Sequence, residues 1–173
     1  SGNIGTQVAL RANPDGHTLF MNSSALAVNV SLYSKPGYSM QEIAPILQGP
    51  TTPNLITVHP SLPVKTLQEL IALARTKPLS YGSSGPGTSS HLAGELYKIQ
   101  AGVKADHIPY KGAGPSFIAL MGGEYHYNFG GLAGALPLAR AGKLRAIAVT
   151  TEKRIPGYED IPTVKESGLP NFV

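Results

Sequence analysis

Tyr81-Gly82-Ser83-Ser84-Gly85-Pro86-Gly87-Thr88-Ser89-Ser90-His91-Leu92 is the stretch whose reading decides the fold. The run Leu79 to Tyr81 before it has strand character. Leu92, Leu96 and Ile99 after it recur at helical spacing, and Gly102 ends that helix. A strand, a glycine-rich loop and a helix in that order make half of a βαβ unit. The other half follows, with a strand end at His107 to Pro109, the loop Lys111-Gly112-Ala113-Gly114, and Pro115 at a helix start. Gly122-Gly123 closes that helix. Tyr125 to Phe129 alternates with polar residues at a period of two, and Gly130-Gly131 leads into a helix around Ala135 to Ala141. Arg145 to Thr150 is an apolar strand. Upstream, Thr66 and Glu69 form a capping box before Leu70, Ile71 and Leu73, and Pro78 stops that helix. Strands separated by helices imply a mainly parallel sheet. Right-handed crossovers then bring the β-to-α loops to one edge, where ligands bind in such folds.

The flanks read less regularly. Ile4 and Val8 share a helical face, and Asn13-Pro14-Asp15-Gly16 is a turn. His17 to Met21, Ala44 to Leu47 and Asn54 to Val58 read as short strands, with Asn22, Ser23 and Ser24 capping the turn after the first. Thr163 and Glu166 cap one last short helix, which ends at Gly168. The 173 residues suit one large domain or two small lobes, and 42% hydrophobic against 14% charged residues permits a folded core. A net charge of +4 suits anions of many kinds, but Lys and Arg are spread thinly, which argues against nucleic acid. There is no cysteine, so disulfides and thiolate chemistry are excluded. No apolar run reaches the ~18 residues that span a bilayer. The histidines His17, His59, His107 and His126 lack ligand spacing, so no metal is expected, and no cofactor is expected either.

The chemistry concentrates between Gly82 and Ser90. Ser83, Ser84, Thr88, Ser89 and Ser90 supply hydroxyls, and three glycines let the backbone approach a ligand. The helix start adds unpaired N–H groups and a partial positive charge, a combination that holds carboxylates or phosphates. A capped turn with surplus serines is the plainer alternative, but one cap does not need five hydroxyls. Two enzyme motifs nearly match. A phosphate-binding loop of the G-x-x-x-x-G-K-[ST] type would need lysine where Thr88 stands, and a G-x-S-x-G elbow around Ser84 would need glycine where Pro86 stands. A hydrolase using Ser84 with His91 or His107 is the catalytic alternative. His91 is placed either to donate to a ligand or to bond nearby backbone. Lys111 is either a charge for an anion or a surface lysine. Tyr125 and Tyr127 fit a core better than a pocket lining.

Several motifs in one order carry a resemblance over essentially the whole chain. They are Asn13-Pro14-Asp15-Gly16-His17-Thr18-Leu19, Tyr81 to Thr88 with His91-Leu92-Ala93-Gly94-Glu95-Leu96, His107-Ile108-Pro109-Tyr110-Lys111-Gly112, Ala141-Gly142-Lys143-Leu144-Arg145-Ala146 and Ile161-Pro162-Thr163. The chain resembles the Bug-type solute-binding receptors of tripartite tricarboxylate transporters. That resemblance implies a periplasmic receptor with an α/β, type II periplasmic-binding-protein fold whose two lobes close on a small organic anion, mostly a carboxylate. It implies a large and a small membrane permease subunit as partners, with no membrane insertion of the receptor itself. Residues 1–60 would be part of lobe 1, 61–150 lobe 2, and 151–173 a return towards lobe 1. The first lobe would be incomplete, since the family's first strand and loop would precede Ser1 and its closing part would follow Val173. Candidate ligand contacts are then Ser23, Ser24, Ser83, Ser84, Gly85, Thr88, Ser89, His91, Tyr110, Lys111 and Gly130. Gly130 and Gly131 stand where the family usually has a polar side chain, and Tyr125-His126-Tyr127 where it often has Val-Asp-Val. An intracellular effector-sensing domain of similar two-lobed fold is the third reading.

Overall fold

A computed structural model describes residues 2–172. Its centre is a five-stranded sheet in the order β3-β2-β4-β1-β5. The strands are β1 (Asn54–Val58), β2 (Leu79–Ser83), β3 (Ala105–Pro109), β4 (Tyr127–Gly131) and β5 (Arg145–Val149). β2 pairs in parallel with β3 and β4. β1 sits between β4 and β5 and is antiparallel to both. The sheet is therefore mixed, with β2, β3, β4 and β5 pointing one way and β1 alone reversed. β1 joins β2 through helix α3 (Leu67–Thr76) yet is separated from it by β4, which arrives later.

The helices α3, α4 (Ser89–Ala101), α5 (Ala113–Met121) and α6 (Leu132–Arg140) cover the two faces. α3 and α4 bury Leu67, Leu70, Tyr97 and Ala101 with Ile56, Val58, Tyr81, Tyr127 and Phe129. α5 and α6 bury Phe117, Leu120 and Ala135 with Leu55, Tyr125 and Val149. Alternation along β1 therefore sends Leu55 to one face and Ile56 to the other. The box before α3 is built as its sequence predicts: the Glu69 amide donates to Thr66 Oγ1 at 3.2 Å, and the Thr66 amide donates to Glu69 Oε2 at 3.2 Å. Gly102, in the left-handed region at φ +63°, ends α4.

Several expectations are corrected. Of the Leu92, Leu96 and Ile99 face of α4, only Leu96 packs on the core, and it is partly buried. Ile99 is 77% exposed and Leu92 41%, whereas Ser90, Gly94, Tyr97 and Ala101 face the sheet. The reason is the Tyr81 ring, which fills the place where a side chain at position 94 would stand. β4 starts at Tyr127, and Tyr125 precedes it and turns to the opposite face from Tyr127. His17 to Met21 and Ala44 to Leu47 are extended but form no ladder among the described residues. A strand is stable only against a partner, and Met21 and Leu47 point outward at 95% and 81% exposure. The expected last helix is a single turn, in which the Glu166 amide donates to Thr163 Oγ1 at 3.1 Å.

The boundary expected at residue 60 falls after a strand of this sheet, because β1 is already part of it. The segment expected to leave the lobe after residue 150 first packs on it. Thr163 bridges Val149 in parallel, and Val164, Leu169 and Phe172 join the α3–α4 core. The chain enters at Asn54 and leaves at Thr150 side by side: the Thr150 amide donates to the Asn54 carbonyl at 3.0 Å, and the Asn54 amide to Thr150 Oγ1 at 3.0 Å. Upstream lie α1 (Asn3–Leu10), a helix as expected, and α2 (Ala25–Leu32), joined by an Asn29 Nδ2 to Asn3 Oδ1 bond of 2.6 Å.

Candidate ligand-binding loops

Parallel pairing of β2 with β3 and β4 puts the strand ends Ser83, Pro109 and Gly131 on one edge of the sheet. The loops that follow are tied together by backbone. The Tyr110 amide donates to the Ser83 carbonyl at 3.0 Å, and the Gly112 amide to the Ser84 carbonyl at 3.1 Å. A buried polar cluster braces the same edge from below. Asn128 Nδ2 donates to Ser116 Oγ and to the Tyr125 hydroxyl, both at 2.8 Å, and that hydroxyl donates to the Ser116 carbonyl at 2.7 Å. The Tyr125 ring lies where a Cβ of Gly82 would be, so only glycine lets β2 approach it. Burial pushes the Tyr125 phenol up to about 12, so it remains a neutral donor.

The loop from Ser83 to Ser90 spends some hydroxyls on itself and leaves others free. Ser83 is fully buried. Its Oγ accepts from the Gly85 amide at 3.1 Å and meets His107 Nε2 at 2.6 Å. Thr88 Oγ1 donates to the Gly85 carbonyl at 2.6 Å, and the buried Ser90 Oγ accepts from the Ser84 amide at 3.0 Å. Gly85 and Gly87 take φ of +122° and +78°, which glycine allows. Ser84 and Ser89 are different. Ser84 is half-buried and Ser89 exposed, and neither hydroxyl has a hydrogen bond among the described residues. No side chain caps α4, so the amides of its first turn at Ser89, Ser90 and His91 are donors without acceptors among the described residues. No Lys or Arg lies between Gly82 and Leu92. The product is a neutral cradle that offers free amide and hydroxyl donors.

The remaining candidates fall around it. His91 Nδ1 accepts from the Gly87 amide at 3.2 Å, so this nitrogen serves the backbone. Its ring stacks on His107 with centroids 4.4 Å apart. Burial, then the neighbouring His91, pushes His107 down to about 4. Tyr110 turns its ring onto Tyr125 and its hydroxyl to Glu124 Oε2 at 3.3 Å, leaving its backbone at the loop. Lys111 is exposed. Gly130 is buried, with the Phe117 ring in the place of a side chain. Ser23 and Ser24 are exposed at the start of α2, and Ser23 Oγ accepts from the Ala25 amide at 3.3 Å. The body of α2 reaches the loop through Asn29 and Leu32, which close over Gly87. The structure therefore brings Ser83, Ser84, Gly85, Thr88, Ser89 and His91 together, with Tyr110 and Lys111 on the adjoining loop. Sequence reasoning missed the Ser116–Tyr125–Asn128 brace. The signal for it was Asn128 in the middle of a buried strand.

The catalytic alternative does not assemble. His107 bonds Ser83 rather than Ser84, and Ser83 is sealed from solvent. Among the described residues no group of three or more His, Cys, Asp or Glu is placed to hold a metal ion.

The model of the tripartite tricarboxylate transporter family receptor matches residues 1–173. The chain belongs to this receptor family. It is similar to Protein BugT of Bordetella pertussis, with 32% identity over 177 residues covering 99% of this chain and 54% of that protein. It also resembles a protein from the tcbD-tcbE intergenic region of Pseudomonas sp. strain P51, with 33% identity covering 99% and 52%. Among solved receptors, an R. palustris protein with adipate superposes at a TM-score of 0.94 and 36% identity, covering 99% of this chain and 58% of that one. MatC of Rhodopseudomonas palustris with bound malate superposes at 0.88 and 28% identity, covering 99% and 60%. The periplasmic binding protein BugD gives 0.85 and 30%, covering 99% and 58%. The chain spans about half the length of the curated relatives it matches. These Bug-type receptors are solute-binding proteins rather than enzymes. No helix of the described residues is long and apolar enough to cross a membrane.

Proposed function

We propose that this chain forms the greater part of a periplasmic receptor that captures a small carboxylate and presents it to the permease subunits of a tripartite tricarboxylate transporter. The observation that carries this reading is the cradle after β2. Its free groups are the amides at Ser89, Ser90 and His91 and the hydroxyls of Ser84 and Ser89, all able to donate to an oxyanion. A carboxylate only accepts hydrogen bonds and matches this set. A loop without Lys or Arg holds an anion by hydrogen bonds of roughly 1.5–3 kcal/mol each. That grip is strong enough for capture and weak enough for release to a permease. The two relatives solved with dicarboxylates, adipate and malate, support the ligand class. Placement in the periplasm is supported by BugD, a periplasmic binding protein of the same family.

The test is mass spectrometry of whatever co-purifies with the full protein, followed by isothermal titration with the identified acid and with malate and adipate. Saturable binding of a carboxylate, lost in Ser84→Ala with Ser89→Ala, is the expected result. Absence of binding to every mono-, di- and tricarboxylate tried refutes the reading.

A further inference from the structure

Two imidazoles lie beneath the cradle rather than in it. His91 Nδ1 accepts the Gly87 amide at 3.2 Å. His107 Nε2 lies 2.6 Å from Ser83 Oγ, and that oxygen accepts the Gly85 amide at 3.1 Å. Each left-handed glycine of the loop is thus held by a chain of bonds that involves a histidine. The first ends on His91 itself, and the second passes through Ser83 to His107.

The donor count fixes the protonation state this geometry needs. His91 Nδ1 is an acceptor, which an imidazolium cannot be. Ser83 Oγ already accepts from Gly85, and its own proton finds an acceptor in an unprotonated His107 Nε2. A proton on that nitrogen would make it a second donor to Ser83 Oγ and leave the serine proton with no partner in a fully buried site. The surroundings offer little to offset a charge. Tyr81 of β2 covers one face of His107 at 4.9 Å and His91 of α4 the other at 4.4 Å. Glu95 and Lys98 of α4 also face it, but Glu95 Oε1 already accepts from the Tyr81 hydroxyl at 2.6 Å and from Lys98 Nζ at 2.9 Å. Asn29 and Leu32 of α2, which close on Gly87, do not titrate.

We propose that His91 and His107 are positioning residues that hold the anion-binding loop in its donating shape only while both imidazoles are neutral. Acid then loosens Gly85 and Gly87, and the cradle lets go. The depressed affinity of His107 for protons agrees with this: burial, its largest cause, disfavours the charged ring. The role at ligand release rests on the carboxylate reading above. The hold on the two glycines does not.

The experiment is an amide NMR titration of the full protein without ligand from neutral pH to pH ~4, where a depressed histidine of this kind charges. The Gly85 and Gly87 resonances are expected to move in step with the imidazole signals of His107. In the doubly substituted His91→Asn, His107→Gln protein, neutral amides replace the bonding nitrogens, and those glycine signals should stay in place. The affinity for malate and adipate, measured in both proteins at each pH so that titration of the acid itself cancels, should fall about tenfold further in the wild type. A merely structural pair of histidines would not give this difference in pH profile. Gly85 and Gly87 signals that stay still while the imidazoles titrate would overturn the proposal without need of any variant. A double variant with the wild-type profile would overturn it too. If neither acid binds at any pH, the carboxylate reading fails, and the glycine titration still decides the role of the histidines.

Discussion

Ser90→Ala and Ser84→Ala separate the parts of the loop that build it from the parts that bind. Ser90 is buried, and its Oγ accepts the Ser84 amide at 3.0 Å and, since Thr88 donates to the Gly85 carbonyl, gives its own proton to Thr88 Oγ1 at 3.0 Å. Removing it leaves the Ser84 amide short of an acceptor under the loop, while Thr88 Oγ1 keeps its bond to the Gly85 carbonyl. A buried donor left unsatisfied costs about 1–3 kcal/mol. For a unit of this size each kcal/mol moves the melting temperature by about 2–4 °C. The Ser84 hydroxyl has no partner among the described residues, so Ser84→Ala should change stability by no more than about 0.5 kcal/mol. It should instead remove one hydrogen bond to a charged ligand group, worth roughly 1.5–3 kcal/mol, or roughly 10- to 150-fold in affinity. Calorimetric melting and isothermal titration on the same preparations read both quantities. Equal destabilisation by the two substitutions, with affinity untouched by Ser84→Ala, would refute the division of labour.

Three further outcomes are expected. Lys111→Met should weaken carboxylate binding less than Ser84→Ala in the same titration, because Lys111 is exposed and the cradle needs no cation. Gly94→Ala should destabilise by about 1–3 kcal/mol in denaturant melts, since its Cβ would enter the Tyr81 ring in the core. His107 binds its proton less readily in the folded chain than in the unfolded one, so its contribution to stability is complete above the ordinary imidazole range. That contribution should fall away as the pH drops from about 6.5 towards about 4, a slope that melts at several pH values detect and His107→Gln removes.

The alternation of loops and helices from Thr66 onward was legible because each boundary carries its own chemistry. The Thr66–Glu69 box, the glycine at Gly102 and the glycine-rich loop before Ser89 all stand where the sequence puts them. The strand direction of β1 was not legible, since Asn54–Val58 reads the same in either orientation and its neighbours β4 and β5 lie more than sixty residues downstream. The buried face of α4 was not legible for a related reason. Leu92 and Ile99 look like a core stripe until the Tyr81 ring demands the small residue at Gly94. Within the loop, the sequence shows five hydroxyls but not which are spent. Ser83, Thr88 and Ser90 turned inward because the amides of Gly85 and Ser84 and the carbonyl of Gly85 needed them.

The paired passage of the backbone at Asn54 and Thr150 has a mechanical consequence. Entry and exit lie at the same end of neighbouring antiparallel strands, so tension between residues 53 and 151 peels β1 from β5 instead of sliding one along the other. Peeling loads ladder bonds one at a time, and the first to carry the load are those between Asn54 and Thr150. Under a pull applied there, this sheet would open like a zipper at low force, beginning beside the ligand edge, while the β2–β3 side remained unloaded.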